Sequence, residues 1–271
     1  VFHGAGLVDL SDGARKKVWA TNVGGTRNAL DLCLKQGGRR FYYVSTAYAG
    51  GGRNPYEASK ARAEEEVHSF QAVHGLRATV FKPSIVISTP ATHAGPLEFS
   101  MSRVFAAIAR VHARADGFRR KVEGTLRLPV IEPVLRIRGD SDKELNLVPL
   151  DWVAEQMVRR MDQVGRFYLV NHQPPTLGEV LAWGSEELKV NVRFELEFEP
   201  TPIEALLERM VRSFRPYLYG ATVAHFGTDT PLVDKRLVQF VVRRDVLGLP
   251  VSEEEPSADR LEGGLESDRA F

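Results

Sequence analysis

Short apolar runs and longer amphipathic stretches alternate along the first third of the chain. The runs Val1-Phe2-His3, 41–44 and 78–81 are rich in aromatic and β-branched residues, which predicts buried strands. Between them, residues 12–36 and 56–73 carry apolar positions at helical spacing, and glycine closes each stretch. Strand, helix, strand, helix, strand is typical of a parallel sheet with right-handed crossovers. The pattern therefore predicts an α/β fold with a doubly wound parallel sheet.

The pattern changes after the third strand. Residues 97–114 predict an amphipathic helix, and we expect residues 93–139 to form an insertion or lid on the substrate side. The sheet domain is expected to cover residues 1–172, followed by a smaller α+β substrate-binding region over residues 173–251. The acidic, Ser/Gly-rich residues 252–271 predict a disordered tail.

Several local signals place elements in the second half. Capping boxes that begin at Thr176 and at Thr201 predict two helix starts, and Asp151 is expected to cap a third helix. Apolar and polar residues alternate over residues 190–198, which predicts a half-buried strand.

Composition excludes several functional classes. Lys and Arg total 36 against 35 Asp and Glu, so no global charge favours nucleic acid or an acidic membrane surface. The single cysteine, Cys33, excludes an internal disulfide and a cysteine-built metal site, and it fits a reducing compartment. The histidines are scattered, so we expect no metal. We also expect no signal peptide and no membrane span, hence a cytoplasmic protein acting on a small molecule.

A basic stretch follows residue 109. Its members are Arg110, Arg114, Arg119, Arg120 and Lys121. A solvated face or a mobile lid is the favoured interpretation of such a charge run. The alternative is a docking site for a phosphate-bearing substrate or carrier.

Tyr56 and Lys60 are the main candidates for chemistry. They are four residues apart on a predicted helix, so they share one face. A phenol has a pKa of about 10, and a cation beside it favours the phenolate. The pair alone is common in helices. Thr46, at the end of the preceding strand, and Asn22, in the helix before it, make a shared site the favoured interpretation.

Three loops are expected to meet near that pair. Gly4-Ala5-Gly6, Ser45-Thr46 and Pro83-Ser84 each follow a predicted strand. Because the strands are parallel, their carboxyl ends lie on one rim, where chemistry collects in such sheets.

These motifs, in this order, resemble an extended short-chain dehydrogenase/reductase, and most of all the thioester-reductase and fatty-acyl-CoA-reductase branch of the male-sterility type. The resemblance covers about residues 1–190. The matching segments are Val1-Phe2-His3-Gly4-Ala5-Gly6, Asn22-Val23-Gly24-Gly25-Thr26, Val44-Ser45-Thr46-Ala47-Tyr48, Pro55-Tyr56-Glu57-Ala58-Ser59-Lys60, Lys82-Pro83-Ser84-Ile85-Val86, Asn146-Leu147-Val148-Pro149-Leu150-Asp151 and Asn171-His172-Gln173-Pro174-Pro175-Thr176.

The resemblance implies a Rossmann-like fold and a role for each site residue. Tyr56 would protonate a carbonyl oxygen during hydride delivery, and Lys60 would lower the pKa of Tyr56 and bind the nicotinamide ribose. Thr46 would donate a hydrogen bond to the carbonyl, and Asn22 would hold a water that connects Lys60 to solvent. The implied cofactor-binding residues are Gly4, Ala5, Gly6, Tyr56, Lys60, Pro83, Ser84, Ile85 and Val86.

The sequence departs from the family pattern in three places. The glycine-rich turn that cradles the cofactor pyrophosphate is not found, so in family terms the sheet is N-terminally incomplete. The segment between Thr46 and Tyr56 is short and contains Gly50-Gly51-Gly52. Lys82 stands where Arg is usual, and Ser88 where Gly is usual. We favour missing segments over a degenerate relative, because all four catalytic residue types are in place.

The implied function is NAD(P)H-dependent reduction of an acyl thioester, bound to coenzyme A or to a carrier, or of a related carbonyl. NADPH is the family expectation, with NADH as the alternative. A nucleotide-sugar epimerase or a hydroxysteroid-type dehydrogenase would use the same residues. A non-catalytic fragment or pseudoenzyme that binds no cofactor is the alternative from a different class.

Overall fold

The computed structural model describes residues 1–90, 100–126, 134–221, 223 and 233–249. Eight strands lie within these ranges. They are β1 (Phe2–His3), β2 (Arg40–Val44), β3 (Arg77–Pro83), β4 (Ile85–Ile87), β5 (Leu135–Arg138), β6 (Leu147–Pro149), β7 (Gly165–Leu169) and β8 (Val192–Glu195).

Nine α-helices lie within the same ranges. They are α1 (Arg15–Trp19), α2 (Gly25–Lys35), α3 (Pro55–His74), α4 (Ser100–Leu126), α5 (Leu150–Arg159), α6 (Leu177–Leu188), α7 (Pro202–Val211), α8 (Arg215–Leu218) and α9 (Lys235–Val241).

The main sheet has four strands in the order β1-β2-β3-β7, and all its pairs are parallel. The strand order and the crossovers confirm the predicted α/β class. Two further parallel pairs, β4 with β6 and β5 with β8, extend beyond this sheet.

Helices cover both faces of the main sheet. On one face, Phe41 and Tyr43 of β2 pack with residues of α2 and α3. On the other face, Tyr42 of β2 and Phe81 of β3 pack with Val153 of α5. Alternate residues of β2 thus point to opposite layers, as the period of a strand requires. This explains why residues 41–44 of β2 are all aromatic or apolar.

The first helical segment is continuous but irregular. It starts with a 3-10 turn at Asp12–Ala14, and a π-helical turn at Ala20–Gly24 separates α1 from α2. Such π turns often occur at functional sites. The chain reverses after α2 at Gly37 and after α3 at Gly75, where φ is 68° and 63°. Glycine adopts these angles without steric cost, so both predicted helix ends are confirmed.

The C-terminal region builds its own core. Phe105 and Ile108 of α4 pack there with Leu181 of α6, Leu207 of α7 and Val238 of α9. Both predicted capping boxes are present at the starts of α6 and α7. This core is separate from the apolar clusters on the main sheet.

Three predicted elements differ from the structure. The helix expected over residues 97–114 extends to Leu126 as α4. Asp151 does not cap α5: Pro149 holds the cap position, and Asp151 lies in the first turn. The strand expected over residues 190–198 is shorter, because only Val192–Glu195 pairs with β5.

The tail expected to be disordered, residues 252–271, lies outside the described residues, and so do residues 93–99 and 127–133 of the expected lid. Within the described ranges, no helix has the length and apolar character to cross a membrane. The same ranges contain no cluster of His, Cys, Asp or Glu side chains that would hold a metal ion.

Candidate active site

A cavity of about 350 Å³ opens at the carboxyl ends of β1, β2 and β3. The loops after β2 and β3 are joined there, because the amide of Ala47 donates to the carbonyl of Pro83 at 2.8 Å. One end of the cavity carries predicted site residues: Gly4, Gly6, Ser45, Thr46, Tyr56, Lys60, Pro83, Ser84, Ile85 and Val86. The convergence of three loops on one rim is therefore confirmed.

The other end of the cavity is apolar. It is formed by α4, α6 and the segment that leads into α8. The side chains are Met101, Val104, Phe105, Leu177, Val180, Leu181, Phe214 and Leu218. Among the described residues that line the cavity, Lys60 is the only charged one.

Thr46 and Tyr56 interact at the end of the cavity that carries the predicted site residues, which we call the polar end. The Thr46 hydroxyl interacts with the phenol by hydrogen bonding, which lowers the pKa of Tyr56. Burial and the neighbouring Glu57 carboxylate oppose this effect, and burial is the larger cause, so the pKa of Tyr56 rises to about 12. Tyr56 is thus a neutral phenol at neutral pH, which is the form that can donate a proton.

Thr46 also has a structural role. Its hydroxyl donates to the carbonyl of Pro83 and accepts from the amide of Tyr48, both at 3.4 Å. These are long bonds. Thr46 therefore bridges the ends of β2 and β3 while its hydroxyl faces the phenol.

Lys60 is buried against the end of β2. Its ammonium donates to the carbonyl of Val44 at 2.8 Å and lies 5.0 Å from the centre of the Tyr43 ring. Burial lowers the pKa of Lys60 to about 8, against the opposing effect of Glu64. Lys60 is not among the groups that set the pKa of Tyr56 here, so its effect on the phenol stays a prediction.

Asn22 lies on the π-helical turn and ties the loop after β1 to α3. Its amide oxygen accepts from the backbone of Leu7 at 2.7 Å, and its amide nitrogen donates to the carbonyl of Leu7 and to the hydroxyl of Ser59. Asn22 is buried, and it holds the loop that approaches Lys60. The water that Asn22 was expected to hold stays a prediction.

The predicted cofactor residues fit a nicotinamide and its ribose. A Cβ at Gly6 would lie 3.1 Å from the Lys60 nitrogen, so a larger residue there would crowd the ammonium. The hydroxyl of Ser84 is buried at the cavity without a hydrogen-bond partner among the described residues, which suits a carboxamide. Ala5 is exposed and does not line the cavity.

Two buried polar networks were not predicted. In the first, the Glu64 carboxylate accepts from Lys82 at 2.7 Å and 2.9 Å, and from the hydroxyl of Ser45. The sequence carried one signal for it, since Glu64 follows Lys60 by four residues and shares its helix face. Lys82, at the position where the resemblance led us to expect Arg, pairs with this carboxylate.

The second network joins the start of α3 to the C-terminal region. The phenol of Tyr217 donates to Glu57 at 2.6 Å and accepts from the Asn54 amide at 2.9 Å. The guanidinium of Arg53 pairs with Glu57 at 3.1 Å. Glu57 is fully buried. No local pattern points to Tyr217, because it lies 160 residues from its partner.

The glycine segment before α3, residues 50–52, packs against this second network. Gly50 and Gly52 have φ of 100° and 64°. A Cβ at Gly51 would lie 2.7 Å from the Arg53 guanidinium and 2.8 Å from the Glu57 carboxylate. Glycine therefore allows the chain to turn tightly around the buried ion pair.

The basic stretch of α4 is largely solvated. Arg110, Arg114, Arg120 and Lys121 are exposed. Arg119 and Arg120 each lie 2.7 Å from the Asp116 carboxylate. These ion pairs favour a solvated face over a docking site for phosphate.

Comparison with known proteins finds similarity in the part of the chain that contributes the polar end of the cavity. Residues 1–127 match the model of the NAD dependent epimerase/dehydratase family. The match covers 127 of the 271 residues, and over this segment the chain is similar to that family. The matched residues contain β1 to β4 and α3, and therefore Thr46, Tyr56 and Lys60.

Two curated proteins are similar to this chain in sequence. Sterol demethylase protein B of Methylococcus capsulatus (strain ATCC 33009 / NCIMB 11132 / Bath) is 26% identical over 227 residues, which cover 76% of this chain and 60% of that protein. The 3 beta-hydroxysteroid dehydrogenase type 7 of Rattus norvegicus is 34% identical over 98 residues, which cover 28% of this chain and 29% of that protein. The chain thus spans less than two thirds of either relative.

Solved structures show the same fold. The terminal R domain of the myxalamid PKS-NRPS pathway has a TM-score of 0.62 and 20% identity, over 91% of this chain and 68% of that domain. RMD from Pseudomonas aeruginosa, solved with NADPH, has a TM-score of 0.60 and 16% identity, over 92% of this chain and 80% of that protein. At these identities the likeness establishes the fold alone.

Proposed function

We propose that the protein is an NAD(P)-dependent oxidoreductase that interconverts a carbonyl and a hydroxyl group on a largely apolar substrate. The observation that carries this proposal is the division of the cavity. Thr46, Tyr56 and Lys60 lie at one end, and the other end is apolar. The reacting oxygen belongs at the polar end, with the body of the substrate against α4 and α6.

The roles of the side chains follow from their positions. Bound NAD(P)H would supply a hydride to the carbonyl carbon. Tyr56 gives its phenolic proton to the oxygen that becomes negative, and Thr46 stabilises that oxygen with a hydrogen bond. The nearby Lys60 ammonium stabilises the phenolate that remains, and a solvent proton restores the phenol. One hydride and one proton are added, so the product is an alcohol.

A nucleotide-sugar substrate fits this cavity poorly. A nucleoside diphosphate carries charged phosphates, and arginine or lysine side chains usually bind them. Lys60 alone is charged among the described lining residues, and the Val44 carbonyl already holds it. The apolar lining therefore supports an apolar substrate over an epimerase substrate.

A sterol-type hydroxyl or ketone is the substrate class we favour. Both curated relatives are named for sterol or steroid chemistry. A rigid apolar ring system would contact the side chains of α4 and α6, and burial of that surface would contribute to binding.

An acyl thioester is the second candidate. The form Pro55-Tyr56-Glu57-Ala58-Ser59-Lys60 resembles the reductase branch, and the myxalamid R domain shares the fold. An acyl chain would occupy the same apolar end. Reduction would break the C–S bond and release a thiol, which a sterol substrate does not do.

A substrate panel tests the proposal. The full-length protein is incubated with NADPH or NADH and, in separate reactions, a 3-ketosteroid, a long-chain acyl-CoA and a UDP-sugar. Loss of cofactor absorbance and product mass identify hydride transfer, and a thiol reagent detects released coenzyme A. We expect turnover with the ketosteroid, or with acyl-CoA if the second candidate holds. Epimerised UDP-sugar, with neither apolar substrate reduced, would refute the proposal.

A further inference from the structure

Glu64 occupies an unusual place for a carboxylate. Its side chain is 9% exposed and that of its partner Lys82 is 5% exposed. Two hydrogen bonds from Lys82 and one from the Ser45 hydroxyl satisfy Glu64. A buried ion pair of this kind seldom adds stability compared with apolar residues of the same size. Stability alone therefore does not explain why this ion pair is buried.

The network supports the strand end that forms the active site. Ser45 lies between Val44, whose carbonyl holds the Lys60 ammonium, and Thr46, whose hydroxyl faces Tyr56. By fixing Ser45, the Glu64 carboxylate fixes the backbone on both sides of it. The same carboxylate follows Lys60 by one turn of α3, so its charge also acts on the ammonium.

Few charged groups face Lys60. His3 of β1 is buried and hydrogen-bonded to Thr26, and burial lowers the pKa of His3, so it is neutral at neutral pH. The rings of Tyr43 and Tyr56 are neutral as well, since burial raises the pKa of both phenols. Glu64 is the carboxylate that acts on Lys60 in the described part of the chain.

We propose that Glu64 is a positioning residue that keeps Lys60 charged at the active site, and that Lys82 limits this effect by neutralising part of the Glu64 charge. Glu64 touches neither cofactor nor substrate in this role and acts through Lys60 and Ser45. Lys82 competes with Lys60 for one carboxylate, so the two lysines are coupled although they lie on different elements.

Direct titration of Lys60 tests the proposal. Lysine labelled with ¹³C at Cε is incorporated into the full-length protein, and the signal of Lys60 is assigned by its loss in Lys60→Arg. The pH midpoint of that signal is then measured in the wild type, in Glu64→Gln and in Lys82→Met. Neither cofactor nor substrate is needed, so the result is independent of whether the proposed function is right.

The two variants are expected to move the midpoint in opposite directions. Glu64→Gln removes the attracting charge, so the Lys60 midpoint shifts to lower pH than in the wild type. Lys82→Met removes the competing cation and leaves Glu64 in place, so the midpoint shifts to higher pH. If the ion pair did not act on the charge of Lys60, neither variant would move the midpoint.

One further variant serves as the control. Glu65→Gln makes the same charge change on an exposed neighbour that pairs with Arg62, and it is expected to leave the midpoint unchanged. If Glu64→Gln does not fold because Lys82 is left unpaired, the direction of the Lys60 midpoint shift in Lys82→Met still tests the proposal. Unchanged midpoints in the folded variants, or a Lys82→Met shift to lower pH, would overturn the proposal.

Discussion

At the level of single residues, the site depends on how environment changes ordinary side chains. Burial holds Tyr56 as a phenol with a pKa of about 12, while burial lowers the pKa of Lys60 to about 8. The pKa of Tyr56 rises and the pKa of Lys60 falls, so the two values move away from each other. A neutral acid and a readily titrated amine therefore lie in one cavity, as expected for proton transfer linked to carbonyl chemistry.

Tyr217 should contribute strongly to stability. Replacement by Phe removes the donor to the fully buried Glu57 and the acceptor for Asn54. Hydrogen bonds to a buried charge contribute roughly 1.5–3 kcal/mol, so we expect Tyr217→Phe to lower the free energy of unfolding by about that amount. Urea denaturation measures it.

The matched control is Tyr219→Phe. Its hydroxyl makes one long bond, 3.4 Å, to the carbonyl of Leu196, so its loss should cost much less. Equal stability losses in the two variants would show that the bond to Glu57 contributes nothing special.

The sequence identified part of the site and missed the rest for a physical reason. Tyr56 and Lys60 were predictable because helical spacing alone places them on one face. Glu64 follows the same rule, but a carboxylate on a helix is usually solvated, and only the fold shows that Lys82 meets it. Tyr217 reaches Glu57 across the tertiary structure, which no local pattern records.

At the level of elements, α3 organises the site. The Asn54 side chain accepts from the amide of Glu57 and caps the helix, and Pro55 occupies its first position. From that start, Tyr56, Lys60 and Glu64 follow at successive turns. The helix thus presents the acid, the ammonium and its counter-charge in a line along the end of β2.

The packing of α4 against α6 is tight at one glycine. A Cβ at Gly184 would lie 2.2 Å from the ring of Phe105, which also lines the cavity. We expect Gly184→Ala to lower the free energy of unfolding by about 1–3 kcal/mol, because overpacking forces the ring to move. Thermal or urea denaturation measures the change.

Gly25→Ala is the control for that substitution. Gly25 begins α2, and a Cβ there would have no neighbour within 4 Å. Alanine favours a helix over glycine by up to about 1 kcal/mol, so this variant should be at least as stable as the wild type. If Gly184→Ala were also neutral, the contact between α4 and α6 would be looser than described.

The sequence predicted elements correctly where nearby residues determine the boundary, and wrongly where pairing between distant strands determines it. The capping boxes at Thr176 and Thr201 formed as expected, since each closes within four residues. Asp151 did not cap its helix, because β6 runs to Pro149 and the helix starts at the next residue. The strand near residue 192 is short because β5 pairs with only four of its residues.

At the level of the whole molecule, the cavity is lined by two parts of the fold, the rim of the main sheet and the C-terminal region. The sheet rim supplies the polar end, and the C-terminal region supplies the apolar end. The bonds from Tyr217 to Glu57 and Asn54 connect the two close to Tyr56. Under the proposed function, the C-terminal region would set substrate size and the sheet rim would set catalytic geometry, and the two parts are fixed to each other.

Stability should depend on pH through Lys60. Its pKa is about 8 in the folded protein and 10.5 ordinarily, so between these values the unfolded chain binds more protons. The free energy of unfolding should therefore rise as pH increases from about 8 towards 10. Above the ordinary phenol pKa of 10.0 it should fall, because burial raises the pKa of Tyr43 and Tyr56 in the folded state.

Lys60→Met isolates this contribution. Urea denaturation at several pH values should show the rise in the wild type and a smaller rise in the variant. Parallel curves for the two proteins would mean that Lys60 is not buried as a titrating group.

The most direct measurement of the central claim is deuteride transfer from [4-²H]NADPH in a single turnover by the full-length protein, with the ketosteroid or acyl-CoA that the panel identifies. Wild type should place one deuterium on the former carbonyl carbon. Tyr56→Phe should bind NADPH with unchanged fluorescence titration but transfer deuteride at least about 100-fold more slowly, since it lacks the proton donor. Transfer by Tyr56→Phe at the wild-type rate would contradict the proposed role of the cavity's polar end.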